Sequence, residues 1–145
     1  MTTHLKEKEE KILKILEALR EDAEKGTPII VEGKKDIAAL QALGVEGKIL
    51  TVKTGGKSFL DVISEIEQLN AREAVLFLDF DRRGIEGTKR LKQSLEHVGV
   101  KPNVKFWMAL SGLVGKEIQC VESLKGYLTT LRNKTGKSKL ISTRA

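Results

Sequence analysis

The chain has 145 residues, 40% of them apolar and 32% charged, which describes one globular domain long enough to bury a core without disulfides. A single cysteine, Cys120, excludes an internal disulfide framework and a cysteine zinc site, and suits a reducing, cytoplasmic setting. A net charge of +6 favours a polyanionic partner, while an aromatic share of 4% argues against gripping single strands by base stacking. No apolar run approaches the ~20 residues that span a bilayer, and the charged N-terminus is no signal peptide.

The first segment, about Leu5 to Lys25, places Ile12, Leu16, Leu19 and Ala23 at helical spacing with Lys and Glu between them. Gly26-Thr27-Pro28 ends it. Ile29 to Val31 reads as a buried strand, Lys34 to Leu43 as a short helix stopped by Gly44, and Lys48 to Val52 as a second strand. Gly55-Gly56 makes a turn, and Ser58 stands as N-cap to a helix with Phe59, Val62, Ile63, Ile66 and Leu69 on its apolar face. Ala74 to Leu78 is the third strand. Gly84 relaxes the chain into a helix over Glu86 to Val98, closed by Gly99. Pro102 precedes a fourth strand over Val104 to Met108, and Ala109 to Gln119 reads as a loop. Val121, Leu124, Leu128 and Leu131 mark a last helix. Strands alternating with helices predict an α/β fold, a four-stranded, mainly parallel sheet covered on both faces. The expected divisions are an N-terminal helix over 1–26, a central domain over 27–132 and a basic flexible tail over 133–145, where four basic residues meet no acid.

Two of the predicted strands end in acids. Ile29-Ile30-Val31 runs into Glu32-Gly33, and Ala74 to Leu78 runs into Asp79-Phe80-Asp81-Arg82-Arg83-Gly84. Ligands of open parallel sheets bind at the carboxyl ends of strands. Asp79 and Asp81, two apart, project to the same side, an arrangement that costs energy unless a cation or solvent offsets the repulsion. Magnesium takes one or two carboxylates together with waters and phosphate oxygens, so Glu32, Asp79 and Asp81 are candidate metal ligands. The plainer alternatives are an exposed acidic turn with Asp as helix cap, and for Glu32 a helix-dipole contact. Asp36, in the first turn of its helix, has that plain role and stays outside the set. Gly55-Gly56-Lys57-Ser58 is like the end of a P-loop, but Thr51 stands where that motif needs glycine, so a nucleotide-hydrolysing P-loop is rejected. Its backbone amides, with Gly33, Lys53, Lys57, Arg82 and Arg83, remain candidates for holding phosphates.

The three segments Ile29 to Asp36, Lys53 to Gly56 and Leu76 to Gly84 together resemble the Toprim domain shared by topoisomerases, bacterial-type primases, OLD-family nucleases and ribosomal RNA maturation nucleases. The resemblance covers about Thr27 to Met108, and the whole chain is similar to small stand-alone Toprim proteins. It implies a compact, Rossmann-like domain in which Glu32 is the general acid or base and Asp79 and Asp81 coordinate magnesium, with manganese as a substitute. The chain departs from type IA topoisomerases, which carry further acids where Arg83 and Ile85 stand here, and its one tyrosine, Tyr127, falls on the last predicted helix. A complete topoisomerase is therefore not expected.

Three functions remain open on the sequence. The first is a magnesium-dependent nuclease or nucleotidyl transferase acting on RNA or DNA. The second is a non-catalytic nucleic-acid-binding module of an RNA-processing or DNA-repair assembly, with the first helix available to a second copy or a protein partner. The third is a haloacid-dehalogenase-type phosphatase, whose Asp-x-Asp is usually followed by Gly-Thr rather than by Arg82-Arg83. No membrane role is expected.

Overall fold

Ile29, Ile30 and Val31 are fully buried on both faces of their strand, as the interior of a parallel sheet requires. The computed structural model describes residues 2 to 52 and 59 to 135. Strands β1 (Ile29–Val31), β2 (Ile49–Thr51), β3 (Glu73–Leu76) and β4 (Lys101–Asn103) form one sheet in the order β2-β1-β3-β4, parallel throughout. Around it run α1 (Thr2–Glu24), α2 (Lys34–Ala42), α3 (Phe59–Gln68), α4 (Arg82–His97), α5 (Lys105–Val114) and α6 (Leu124–Thr135).

The period of two along the strands divides the core. Ile29, Val31, Val75 and Phe77 face α1, α2, α5 and α6 through Leu16, Leu19, Leu40, Leu110 and Leu128. Ile30, Ala74, Leu76 and Leu78 face the opposite way, onto Val62, Ile63 and Ile66 of α3 and Leu91 and Leu95 of α4. The apolar stripe of α1 is spent inside this first layer. Lys8–Glu117 at 2.9 Å and Arg132–Glu9 at 3.2 Å tie its polar flank to its neighbours, adding at most about 1 kcal/mol each.

The C-terminal half differs from the sequence expectation. The fourth strand is Lys101–Asn103, with Pro102 inside it, and Val104 to Met108 belongs mostly to α5, which also takes Ala109 to Val114 of the expected loop, leaving Gly115 to Gln119 non-helical. Lys101 donates to Arg72, so the alternation along the strand turns the missing donor of Pro102 away from the sheet, as an edge strand tolerates. Asn103 then redirects the chain. Its side-chain oxygen accepts the Lys105 amide at 2.9 Å, and its side-chain amide donates to Glu73 at 2.7 Å. Phe106, Leu110 and Val114 follow at four-residue intervals on the core side, a helical period that the short apolar run concealed. Two smaller differences concern ends. Helix α4 begins at Arg82, four residues early, because Asp81 caps it, and α6 continues through Thr135, so Asn133 to Thr135 are helical. Cys120 is partly exposed beside Ser123, not a core residue.

Replacing Asn103 by Ala should remove both the turn into α5 and the partner of Glu73, lowering stability by about 2 kcal/mol. A urea midpoint that does not move would show that α5 starts without this side chain.

Candidate active site at the carboxyl ends of β1 and β3

Chain order reverses between β1 and β3: from β1 the sheet grows to β2 on one side and to β3 on the other. Such a switch point leaves a crevice beyond the strand ends, because the following helices depart to opposite faces. Here α2 leaves β1 towards one face and α4 leaves β3 towards the other. The ladder extends past β3 through the Phe77 amide, which donates to Ile30 at 2.8 Å, so Glu32 and Asp79 emerge at one edge.

Each acid is held by the element that follows it. Glu32, 6% exposed, follows the last residue of β1 directly. Asp36, equally buried, accepts the Gly33 amide at 3.0 Å while its own amide donates back to the Gly33 carbonyl, locking the first turn of α2. Asp81 caps α4 by accepting the Gly84 amide at 2.8 Å. Asp79 accepts the Val121 amide at 3.4 Å. Among the described residues the remaining oxygen of Asp79 and that of Asp81 have no hydrogen-bond partner.

Two further features hold the Asp79 backbone. The Trp107 indole of α5 donates to the carbonyls of Leu78 at 2.9 Å and Asp79 at 3.3 Å, and its ring lies 6.3 Å from that of Phe80. Gly84 packs against the same peptide from the other side. A Cβ there would sit 2.0 Å from the Asp79 carbonyl oxygen, so only glycine lets α4 start this close.

The electrostatic consequence falls on Asp79. Burial, then the charges of Asp36 and Glu32 and, least, that of Asp81, raise its pKa from 3.8 to about 6, with the Val121 amide opposing them. Among the described residues no arginine acts on it. Arg82 turns outward to Glu86 at 3.5 Å, and Arg83 is exposed. Among the described residues no three His, Cys, Asp or Glu side chains stand as a group able to hold a metal ion. A cation at Asp79 and Asp81 would therefore rest on two carboxylates at most, completed by water or phosphate. That is the donor set magnesium accepts, and the acids crowding Asp79 supply the negative potential.

The structure thus brings together Glu32, Asp79 and Asp81 of the expected set and adds Asp36, which the sequence reading set aside. The expected phosphate-binding residues Lys53, Gly55, Gly56 and Lys57 lie outside the described residues. Trp107 and the Val121 amide were not anticipated, since nothing in their local sequence points 28 and 42 residues back to Asp79. Asp36 left a signal: the first turn of a helix that follows a strand end looks back at that end. Tyr127 sits on α6 beside Lys8, 5.7 Å from its ammonium, and takes no part.

Residues 26–104 match the model of the Toprim domain. The chain belongs to the Toprim-domain family. It is similar to a UPF0292 protein of Methanosarcina acetivorans, 35% identical over 130 residues, covering 89% of this chain and 88% of that one. A UPF0292 protein of Methanocaldococcus jannaschii is 36% identical over 120 residues, covering 82% and 91%. The fold is shared with a solved structure from Aquifex aeolicus at a TM-score of 0.62 and 23% identity, covering 75% of this chain and 94% of that one. The match includes Glu32, Asp36, Asp79 and Asp81, and Toprim domains are typical of metal-dependent nucleases and primases and generally bind magnesium. Among the described residues no helix is long and apolar enough to cross a membrane.

The raised pKa of Asp79 makes a signed prediction. The folded chain holds the Asp79 proton more tightly than the unfolded chain between pH 3.8 and about 6. Its contribution to stability is therefore greatest below pH 4 and is lost as pH rises through 6. Asp79→Asn keeps an acceptor for Val121. In chelator it should melt about 3 °C above wild type at pH 8, reflecting roughly 1 kcal/mol after allowance for solvent screening, and level with it at pH 4. An equal melting temperature at both pH values would remove the electrostatic claim. Gly84→Ala should cost about 3 kcal/mol or more by pushing α4 off the Asp79 peptide, seen as a fall of about 10 °C in Tm.

Proposed function

We propose that this Toprim protein performs magnesium-dependent phosphoryl transfer on RNA or DNA, as a small nuclease or nucleotidyl transferase. The observation that carries this reading is the convergence of Glu32, Asp36 and Asp81 on Asp79 at the switch point. Four acids gathered where ligands of such sheets bind destabilise the metal-free fold above pH 6, and a divalent cation relieves that cost. Asp79 and Asp81 would hold the cation, with water or phosphate completing its ligands. Manganese would suit the same donors.

A bound cation supplies charge neutralisation at the transferring phosphoryl group. The rest falls to the side chains. Glu32, buried at the end of β1, takes the proton from the attacking hydroxyl or returns one to the leaving oxygen. Gly33 leaves the approach open, since a Cβ there would meet nothing within 4 Å. Arg82 and Arg83, exposed at the start of α4, take up phosphate charge. Lys53, Gly55, Gly56 and Lys57 are proposed for the same task on sequence alone.

A second reading, a non-catalytic nucleic-acid-binding module, draws on the absence of a three-residue metal group among the described residues. A gel assay on labelled single- and double-stranded RNA and DNA, with magnesium, manganese or chelator, separates the two. Cleavage or extension should need the metal and fall about 1,000-fold or more in Asp79→Asn/Asp81→Asn, and about 100-fold in Glu32→Gln. Equal activity in the aspartate variant would refute the assignment, and retarded bands with no chemistry in any metal would favour the binding module.

A further inference from the structure

Helix α4 carries a second feature. Arg82, Ile85, Glu86, Lys89, Arg90 and Gln93 line a cavity of about 590 Å³. Their spacing places them on one stripe of the helix, roughly 16 Å long at 1.5 Å per residue. The opposite face, with Gly84, Gly87, Thr88, Leu91 and Leu95, is buried in the domain. The stripe holds three cations against one acid, and it starts at the residue after Asp81.

Its charges are prepared for a ligand in different degrees. The Arg90 guanidinium stacks 4.5 Å above the Phe59 ring, which fixes its plane before anything binds. Arg82 is 92% exposed and, among the described residues, engaged by Glu86 at 3.5 Å, an exposed pair of small worth that a phosphate can displace. Among the described residues Ile85 is the one apolar side chain in the lining, so they offer a partner helix no apolar stripe to grip.

Resting on the phosphoryl-transfer reading of the neighbouring site, we infer that this stripe is the track for one sugar–phosphate strand of the nucleic-acid substrate. The stripe is long enough to run beside several consecutive phosphates of one strand. Lys89 and Arg90 bind phosphates beyond the one at the carboxylates. Glu86 holds Arg82 in the absence of substrate and opposes the strand. With cations as its main donors, the track reads charge and not base sequence.

The test is fluorescence anisotropy of a labelled 12-nucleotide strand with the full chain, in chelator, across a salt series. Lys89→Gln/Arg90→Gln should weaken binding about 10-fold and reduce the salt slope by about 1.4, while Glu86→Gln tightens binding about 3-fold. Lys89→Gln alone, at an exposed position, and Arg90→Lys, which keeps the charge over Phe59, separate lost charge from lost folding. Unchanged affinity and slope in the double variant, absence of strand binding by wild type, or preference for polyglutamate would overturn the track. Asp79-dependent cleavage with binding indifferent to Lys89 and Arg90 sinks the track and spares the chemistry. Binding that depends on α4 with no metal-dependent reaction sinks the chemistry and spares the track.

Discussion

The carboxyl edge of this protein depends on one constraint: β1 and β3 must stay paired to the point where their acids emerge. The hydrogen bond from Phe77 to Ile30 carries the parallel ladder past the end of β3. Without it, Glu32 and Asp79 would belong to two independent loops, free to separate and relax their repulsion. Trp107 and Gly84 make that relaxation harder. One clamps the Leu78 and Asp79 carbonyls from α5, and the other lets α4 press against the same peptide. Packing on both sides of the sheet thus holds in place a set of charges that electrostatics alone would disperse.

That arrangement has a cost, and its location is informative. Acids on an ordinary surface turn spread into solvent and keep near-ordinary pKa values. Here three carboxylates act on a fourth, which itself is drawn out of water, and its pKa rises to about 6. A perturbed acid in a crevice at a topological switch point is the pattern expected of a working site, since structure alone would gain by replacing it. These acids fall within residues 26–104, which match the Toprim domain.

The N-terminal two-thirds of the fold was legible because each strand there is a short β-branched or aliphatic run between clear stops. Ile29-Ile30-Val31 after Thr27-Pro28, and Ala74 to Leu78 before Asp79, have few competing interpretations. The segment after Pro102 was not legible, for the same kind of reason inverted. Phe106, Trp107 and Met108 form a run too short to show a helical period, and the side chain that decides the matter, Asn103, acts through Glu73 thirty residues earlier. The site divides in the same way. Glu32, Asp79 and Asp81 were visible because strand ends announce themselves. Asp36 was assigned to its own helix and proved to serve both helix and crevice. Trp107 and Val121 reach Asp79 only through the fold.

The charge of the chain also acquires a shape. A net +6 gives no direction by itself, and the acids at the switch point are locally negative against it. A positive excess lies along one stripe of α4, starting at the residue after Asp81. A polyanion meeting the protein is repelled by the bare carboxylates and attracted by the adjacent helix face. In the proposed function, binding and chemistry fall to opposite charges on neighbouring residues, Asp81 closing one region and Arg82 opening the next. On the phosphoryl-transfer reading, a divalent cation held by Asp79 and Asp81 would offset their two charges and lessen the repulsion at the crevice. The attraction along α4 would then extend towards a phosphate at the crevice.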